Sequence, residues 1–307
     1  MHADRGMLDV ITKASLRTHE TLHRVAGSKA DGACWTPSET GLRCQCAMPD
    51  PAKPIEPKNG VFRLDGLTAL ITGASRGLGA GCARLLARQG AHVILAARGV
   101  SALDGLQADI QGAGGSAETW VLDVTDQPSV AKRIGKLPRL DILVNSAGTN
   151  RPQACLEVDA ESFDFLFNLN VRASFFVAQA AARRMIGLGR SGSIVMVSSQ
   201  AGHVGLPNRV VYCGTKFALE GIVKVMAIEL ASRGIRVNSV APTFVQTPMT
   251  QPYLEDKAFR DYVQQNIPLG RMAFIDEVAS AILYLASREA AMVTGTSLLV
   301  DGGWTAK

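Results

Sequence analysis

The sequence lacks any uninterrupted apolar stretch of the roughly 20 residues that a membrane-spanning helix needs, and its start lacks the continuous apolar segment of a secretory signal. It also lacks runs of one charge, because its 32 basic and 27 acidic residues, giving a formal net charge of +5, are scattered along the chain. No stripe of lysine and arginine is available to follow a phosphate backbone. We therefore expect no membrane and no nucleic acid among its partners, and a cytoplasmic location.

Cysteine is sparse, and no CxxC pair occurs among the six residues, so the spacing predicts no zinc site. A single residue separates Cys44 from Cys46, and a metal-binding or redox pair there is the alternative. The absence of a nearby histidine favours free thiols, and we expect no bound metal. The cysteines are Cys34, Cys44, Cys46, Cys82, Cys155 and Cys213.

Apolar residues are abundant, at 47% of 307, together with 30 glycines and only 19% charged residues. This composition is typical of a globular protein with tight turns and excludes disorder throughout the chain. The length suffices for one large α/β unit with a sizeable core.

Residues 1–60 differ from the rest. They contain the proline-rich stretch PDPAKPIEPKNG and no sustained helix or strand periodicity, so we expect a flexible, largely disordered extension. Two alternatives stay open. One is a targeting helix near residues 7–25, which Asp9 and Glu20 disfavour because transit peptides are poor in acids; the other is a native start at Met48.

Residues 61–307 show a regular alternation of short apolar runs, such as ALIT and HVILAA, with alanine- and leucine-rich helical segments. Strands that are apolar on both faces are typical of a parallel sheet covered by helices on each side. We predict a single domain of fold class α/β, a doubly wound, Rossmann-type three-layer sandwich around a seven-stranded parallel sheet. The predicted strands lie near 67–72, 91–97, 118–122, 141–145, 193–198, 235–240 and 296–300. The predicted helices lie near 77–89, 101–112, 127–135, 161–187, 211–232 and 276–287.

A glycine-rich turn joins the first strand of this domain to its first helix. In TGASRGLGAG, the glycines at 73, 77 and 79 let the backbone approach a pyrophosphate, and the helix N-terminus supplies free N–H groups. Because a strand precedes the turn and a helix follows it, we predict a dinucleotide-binding site rather than a merely structural turn.

The spacing TGxxxGxG resembles that of the short-chain dehydrogenase/reductase family, in its 3-oxoacyl-reductase-like and sugar or polyol dehydrogenase-like branch. NSAG at 145–148 is similar to the family's NNAG, with Ser146 in place of the second asparagine, and Asp123 in LDVTD matches the acid that contacts the adenine ring in the family. The resemblance extends over residues 61–307. The cofactor-binding residues that these patterns and the resemblance indicate are Gly73, Ser75, Arg76, Gly77, Leu78, Gly79, Arg98, Asp123, Val124, Asn145, Ala147, Gly148, Tyr212, Lys216, Pro242, Val245 and Thr247.

The end of the second strand distinguishes the two nicotinamide cofactors. An acid there would accept hydrogen bonds from the ribose 2′-hydroxyl of NAD and would repel the 2′-phosphate of NADP. In this sequence the position holds Ala97, which Arg98 follows, while Arg76 lies in the glycine turn. Guanidinium groups suit phosphate oxygens, so we expect NADP(H); the alternative for Arg98 is a solvated loop residue.

Tyr212 and Lys216 in YCGTK are four residues apart on a predicted helix and therefore share one face. A neighbouring ammonium and the positively charged oxidised nicotinamide would both lower the pKa of the phenol, about 10 in isolation, and let the phenol exchange a proton with a substrate. Ser199, at the exit of strand SIVMVSS, can bind the substrate oxygen; Ser198 competes, and the family spacing selects Ser199. The resemblance implies that Asn170 completes a catalytic tetrad.

Two further positions bear on the site. No GxSxG elbow surrounds Ser199, so a Ser–His hydrolase is not predicted, and His203 is assigned to the pocket wall or to solvent. APTFVQTPM is similar to the family's PGxxxT segment, but Thr243 stands where glycine is usual, and a β-branched residue does not easily adopt a positive φ.

The resemblance implies reversible hydride transfer between NADP(H) and a carbonyl or alcohol substrate, in a homodimer or homotetramer built through the two long helices. The segment 247–272 is expected to close over the site. Arg151 matches a position where relatives acting on sugar acids and polyols carry arginine, which favours a small polar ketone, sugar acid or polyol. The alternative is a 3-oxoacyl thioester of acyl carrier protein or coenzyme A. A non-catalytic dinucleotide-binding regulator would be expected to have a damaged tetrad, whereas all four residues are present.

Overall fold

The computed structural model describes residues 35–38, 41–44, 60–248, 250 and 255–306. The chain divides into two units, Met1–Lys53 and Pro54–Lys307. In the first unit, strand β1 (Trp35–Ser38) pairs antiparallel with β2 (Gly41–Cys44). The sequence pattern does not predict this hairpin, because four-residue strands are too short to show alternation. The rest of the expected flexible extension, residues 1–60, lies almost wholly outside the described residues.

The second unit contains seven parallel strands. They are β3 (Thr68–Thr72), β4 (His92–Ala97), β5 (Ser116–Val121), β6 (Ile142–Asn145), β7 (Gly192–Val197), β8 (Ile235–Pro242) and β9 (Ser297–Val300). Their order in the sheet is β5-β4-β3-β6-β7-β8-β9, and every neighbouring pair is parallel. The predicted seven-stranded parallel sheet is confirmed.

Helices cover both faces of this sheet. They are α1 (Gly77–Arg88), α2 (Val100–Gly112), α3 (Gln127–Gly135), α4 (Ala160–Phe167), α5 (Ser174–Gly187), α6 (Val210–Ala231), α7 (Lys257–Asn266) and α8 (Ile275–Ala286). One buried cluster contains residues of α1, α2 and α8, and the other contains residues of α3, α5 and α6. The predicted doubly wound sandwich is therefore confirmed. Among the described helices, none combines the length and the apolar character needed to cross a membrane.

Two helical segments differ from the sequence prediction. The predicted helix 161–187 is interrupted by a π-helical turn, Asn168–Ala173, between α4 and α5. Helix α7 lies inside the segment 247–272 and was not predicted, because its sequence KAFRDYVQQN is mostly polar. Its buried Val263 packs in a small cluster with Trp304, which explains how so polar a helix is held.

The order of the strands determines where a binding crevice can form on this sheet. The chain runs from β3 outward to β5, then returns to start again at β6 on the other side of β3. Loops that leave β3 and β6 therefore diverge in opposite directions and leave a crevice at the carboxyl ends of these two strands. Of the cysteines whose side chains are described, Cys82, Cys155 and Cys213 are free thiols.

At the opposite, amino-terminal edge, a buried carboxylate joins three segments. Asp141 is 6% exposed. Its Oδ2 accepts from the backbone N–H of Thr68 at 2.8 Å and from Nε of Arg139 at 2.6 Å, and its Oδ1 accepts from Nε of Arg190 at 2.8 Å. One side chain thus ties the start of β3 to β6 and to the loop that precedes β7.

Replacing Asp141 with asparagine should lower the free energy of unfolding by about 1.5–3 kcal/mol, because charge-assisted hydrogen bonds to a buried group are lost. The matched control is Asp109→Asn. Asp109 also pairs with an arginine, Arg84 at 2.8 Å, but both side chains are about half exposed, and such pairs contribute about 0–1 kcal/mol. Urea unfolding of the two variants measures the difference, and equal losses would contradict the assignment.

Candidate active site

The turn between β3 and α1 lies against the loop that follows β6. Gly73 adopts φ +66°, and a Cβ at this position would lie 2.9 Å from Cα of Ala147. Gly79, in the first turn of α1, packs on Gly73, since a Cβ there would collide with the Gly73 carbonyl oxygen. No side chain fits at either contact. The backbone itself therefore forms this turn at a helix N-terminus, which fits the pyrophosphate of a dinucleotide.

The Thr72 side chain joins the carboxyl ends of β3 and β6. Its hydroxyl donates to Oδ1 of Asn145 at 2.8 Å and accepts from the backbone N–H groups of Ser146 and Ala147 at 3.1 and 3.2 Å. The Asn145 amide donates in turn to the Ser174 carbonyl at 2.8 Å. Ser146 contributes only backbone here, which explains why serine can replace the asparagine usual in the family. Thr72 is the first residue of the motif TGASRGLGAG, but the glycine spacing does not predict a role for its side chain.

Farther along the cleft, a carboxylate lies near one of two exposed arginines. Asp123 Oδ1 accepts from the backbone N–H of Thr125 at 2.9 Å and from its hydroxyl at 2.7 Å. The backbone hydrogen bond, followed by the hydroxyl and the charge of Arg98, lowers the pKa of Asp123 against the opposing effect of burial. Arg76 and Arg98 are exposed, and neither forms a salt bridge with a described residue. Val124 is buried beside this group.

The segment after Pro242, the last residue of β8, turns without a glycine. The backbone N–H of Thr243 donates to the Val300 carbonyl at 3.1 Å. Among the described residues, only Phe62 and Asn208 combine a side chain larger than glycine's with a positive φ. Thr243 therefore avoids the left-handed region, and threonine is compatible with this turn.

Farther along this segment, Thr247 lies close to the glycine turn. The methyl group of Thr247 would lie 3.7 Å from a Cβ at Gly77. The Val245 carbonyl accepts from the Thr250 hydroxyl at 2.6 Å, and the Thr247 N–H donates to the same hydroxyl oxygen at 3.0 Å. The glycine turn and Thr247, which are both predicted to bind the cofactor, are thus brought together.

Asn170 lies in the π-helical turn and is 1% exposed. Its Oδ1 accepts from the Thr149 N–H at 3.0 Å, and its Nδ2 donates to the Thr149 carbonyl at 2.9 Å and to the Thr215 hydroxyl at 3.2 Å. A Cβ at Gly148 would lie 3.2 Å from the same Oδ1. Single π turns inside α-helices are frequent at functional sites. This one places Asn170 between the NSAG loop and α6.

Ser199 and Tyr212 come together at the exit of β7. Ser199 is 8% exposed, and its hydroxyl accepts from the Ala201 N–H at 3.1 Å. Burial raises the pKa of the Tyr212 phenol, and a hydrogen bond with the Ser199 side chain partly offsets this effect. In the protein without cofactor, burial therefore disfavours the phenolate more strongly than the neighbouring groups favour it. The predicted lowering of this pKa includes the charge of the oxidised nicotinamide and stays a prediction.

Lys216 is buried on the same face of α6. Its Nζ lies 5.5 Å from the centroid of the Tyr212 ring and donates to the Val197 carbonyl at 2.9 Å. Burial lowers the pKa of Lys216 to about 8, and the charge of Glu220 acts in the opposite direction. Lys216 therefore titrates much nearer physiological pH than an exposed lysine but is still mainly an ammonium there, which the spacing of YCGTK does not reveal.

His203 is partly exposed and lies beside two polar side chains. Its Nε2 lies 2.9 Å from the Ser297 hydroxyl and 3.6 Å from a carboxylate oxygen of Glu220. The serine that His203 contacts is Ser297, on β9.

Arg151 is held against α4. Its guanidinium lies 3.9 Å from the centroid of the Phe165 ring, and one of its nitrogens lies 3.9 Å from a carboxylate oxygen of Glu161. The stacking fixes a cation on the loop that follows the NSAG motif.

The geometry agrees with comparisons to known proteins. A family model described as enoyl-(acyl carrier protein) reductase matches residues 73–305. The chain is 41% identical over 245 residues to L-xylulose reductase from Bos taurus, covering 80% of this chain and 99% of that one. It is 42% identical over 246 residues to 3-oxoacyl-(acyl-carrier-protein) reductase FabG from Thermotoga maritima, covering 79% and 99%.

A solved structure is similar as well. A gluconate 5-dehydrogenase from Burkholderia cenocepacia J2315, in complex with NADP and tartrate, superimposes with a TM-score of 0.77 at 34% identity, covering 80% of this chain and 98% of that one. The fold, the glycine turn and these relatives agree on a nicotinamide dinucleotide as cofactor. The chain therefore belongs to the short-chain dehydrogenase/reductase family, oxidoreductases that act on CH–OH and C=O groups.

Proposed function

We propose that this protein is an NADP(H)-dependent oxidoreductase that interconverts a small polar ketone, sugar acid or polyol with its oxidised or reduced partner. The proposal depends on one arrangement above all: the Ser199 hydroxyl beside the Tyr212 phenol, with the Lys216 ammonium on the same face of α6. A paired serine and phenol can hold a substrate oxygen and exchange a proton with it.

Each side chain has a separate task. Ser199 donates a hydrogen bond to the substrate oxygen, and its own position is fixed by the Ala201 N–H. Tyr212 gives its proton to that oxygen during reduction and takes it back during oxidation. The cofactor, held along the glycine turn and Thr247, supplies or accepts the hydride. Asn170 joins the Thr149 backbone to α6 through Thr215 and so keeps the two halves of the site in register.

Three observations support NADP(H) over NAD(H). Ala97 leaves the end of β4 without a carboxylate, and the exposed Arg98 follows it directly. Arg76 is exposed on the glycine turn, and no described residue neutralises either arginine by a salt bridge. Two exposed guanidinium groups outside any salt bridge with the described residues suit a 2′-phosphate. The gluconate 5-dehydrogenase of similar fold contains NADP.

The substrate class is supported by the relatives and by Arg151. L-xylulose reductase and gluconate 5-dehydrogenase are named for polyhydroxylated substrates. The guanidinium of Arg151 stacks on Phe165, where it can attract a carboxylate or hydroxyl groups. A 3-oxoacyl thioester is the second candidate, because FabG from Thermotoga maritima is as similar in sequence as L-xylulose reductase.

The proposed assembly is a homodimer or homotetramer in the cytoplasm. Helix α6 exposes four large apolar side chains, Val210, Phe217, Val225 and Ile228, at 47%, 50%, 55% and 78% of their surface. A run of exposed apolar side chains on one long helix is typical of a surface that a second subunit covers.

Replacing Tyr212 with phenylalanine should reduce turnover at least about a hundredfold, because the proton donor is lost while the ring stays. Binding of NADPH, followed by its fluorescence, should change little. Since burial keeps the phenol protonated at neutral pH, wild-type reduction should be level there and fall at alkaline pH, whereas oxidation should rise with pH. The matched control is Tyr284→Phe on α8. Turnover in the Tyr212 variant comparable to that of the wild type would reject the assigned role.

Replacing Arg98 with aspartate should weaken NADPH binding by about ten- to a hundredfold, because a charge-assisted contact with the 2′-phosphate becomes a repulsion. NADH affinity should change far less. Lys132→Asp makes the same change of charge on the exposed side of α3 and should leave both cofactors unaffected. Equal losses for NADPH and NADH in the Arg98 variant would count against the phosphate contact.

The substrate class can be decided by a panel of carbonyl and alcohol compounds, each with NADPH or NADP and with NADH or NAD. We expect the highest kcat/KM with NADP(H) and a hydroxylated ketone, sugar acid or polyol. A higher kcat/KM for a 3-oxoacyl thioester would establish the second candidate instead. Binding of NADPH without turnover of any compound would favour a non-catalytic dinucleotide-binding regulator.

A further inference from the structure

A buried glutamate lies one helical turn beyond Lys216. Glu220 is 8% exposed, and both of its carboxylate oxygens accept hydrogen bonds. The Ser239 hydroxyl, on β8, donates to Oε2 at 2.8 Å, and the Ser297 hydroxyl, on β9, donates to Oε1 at 3.1 Å. These hydroxyls fix the carboxylate but do not neutralise it. A buried carboxylate held only by neutral donors keeps most of its field for nearby groups.

The same part of α6 packs against the turn that carries Ser199. A Cβ at Gly202 would lie 3.1 Å from the backbone carbonyl of Lys216 and 3.2 Å from Cγ of Glu220. The Gly202 N–H donates to the Ser199 carbonyl at 2.8 Å. Ser199, Lys216 and Glu220 therefore belong to one closely packed unit, in which Glu220 is joined to the sheet.

The charges around Lys216 are few. Tyr212 lies beside it on α6, and the uncharged Val197 carbonyl of β7 accepts a hydrogen bond from its Nζ. Among the described residues, Glu220 is the acidic group whose charge opposes the desolvation of the ammonium. His203, from the turn after β7, faces the other side of that carboxylate at 3.6 Å and is half-buried.

We propose that Glu220 is a positioning residue for proton transfer, whose negative charge, anchored to β8 and β9 through Ser239 and Ser297, keeps Lys216 in its ammonium form beside Tyr212. The effect of Glu220 on catalysis rests on the proposed function. The effect of Glu220 on Lys216 does not, because that effect is a property of the protein without substrate. His203 lies 3.6 Å from the same carboxylate and is partly exposed, so a charge placed there should alter the field of Glu220 at Lys216.

The direct test is NMR of protein labelled with 13C-lysine, with the Lys216 signal assigned by its absence in Lys216→Met. In the wild type this signal should titrate near pH 8. Glu220→Gln keeps a hydrogen-bonding side chain of the same size but removes the charge. It should lower the titration midpoint by at least about 0.5 pH unit, because the neutral amine then forms more readily. Ser239→Ala keeps the charge and removes one hydrogen bond, and should leave the midpoint unchanged.

A second pair of variants leaves Glu220 in place. His203→Lys puts a permanent cation beside the carboxylate and should lower the Lys216 midpoint in the same direction, whereas His203→Gln should not. This pair decides the question if Glu220→Gln fails to fold. Thermal unfolding of every variant separates loss of stability from loss of charge.

The outcomes are distinct. A shift confined to Glu220→Gln and His203→Lys supports the inference, and the alkaline limit of the pH–rate profile should then move to lower pH in the same variants. Equal shifts in Ser239→Ala, or an unchanged midpoint in both charge-altering variants, would overturn it and leave Glu220 as a structural tie. Failure of every substrate to turn over would reject the proposed function while leaving the NMR result valid.

Discussion

The close approach of two backbones is the constraint on which the site depends. Gly73 touches Ala147, and the Thr72 hydroxyl fixes the distance by bonding to both strand ends at once. Because the sheet order reverses between β3 and β6, this contact lies where the loops diverge. The glycine turn, the NSAG loop and, through Asn145, the start of α5 are therefore held as one rigid piece.

The proposed catalytic groups are attached to this piece by a second chain of hydrogen bonds. Asn170 binds both backbone groups of Thr149, which follows the NSAG motif, and its amide also donates to Thr215 on α6. Thr215 stands next to Lys216 in the sequence, so the cofactor side and the proton-transfer side share one network. The π-helical turn is what allows a residue in the middle of a long helical segment to reach both.

The fold and the main motifs could be predicted because they rest on local patterns: apolar strands, a glycine turn after a strand, and an i, i+4 pair on a helix. What the sequence did not predict depends on tertiary packing. Helix α7 is held by a few apolar contacts, such as Val263 in the cluster of Trp304. Thr72 and Glu220 act through partners distant in sequence, Asn145 and Ser297, so no spacing rule could identify them.

Burial also reverses the expected electrostatics of the Tyr212–Lys216 pair. Proximity alone would stabilise phenolate and ammonium together, but removal from water disfavours both charged forms: it raises the pKa of Tyr212 and lowers that of Lys216 to about 8. The protein by itself therefore presents a protonated phenol, suited to reduction. Oxidation needs the phenolate, so it gains from any positive charge that the site retains. A carboxylate that keeps Lys216 charged then matters most in that direction, which gives the buried Glu220 a physical reason to lie one turn away.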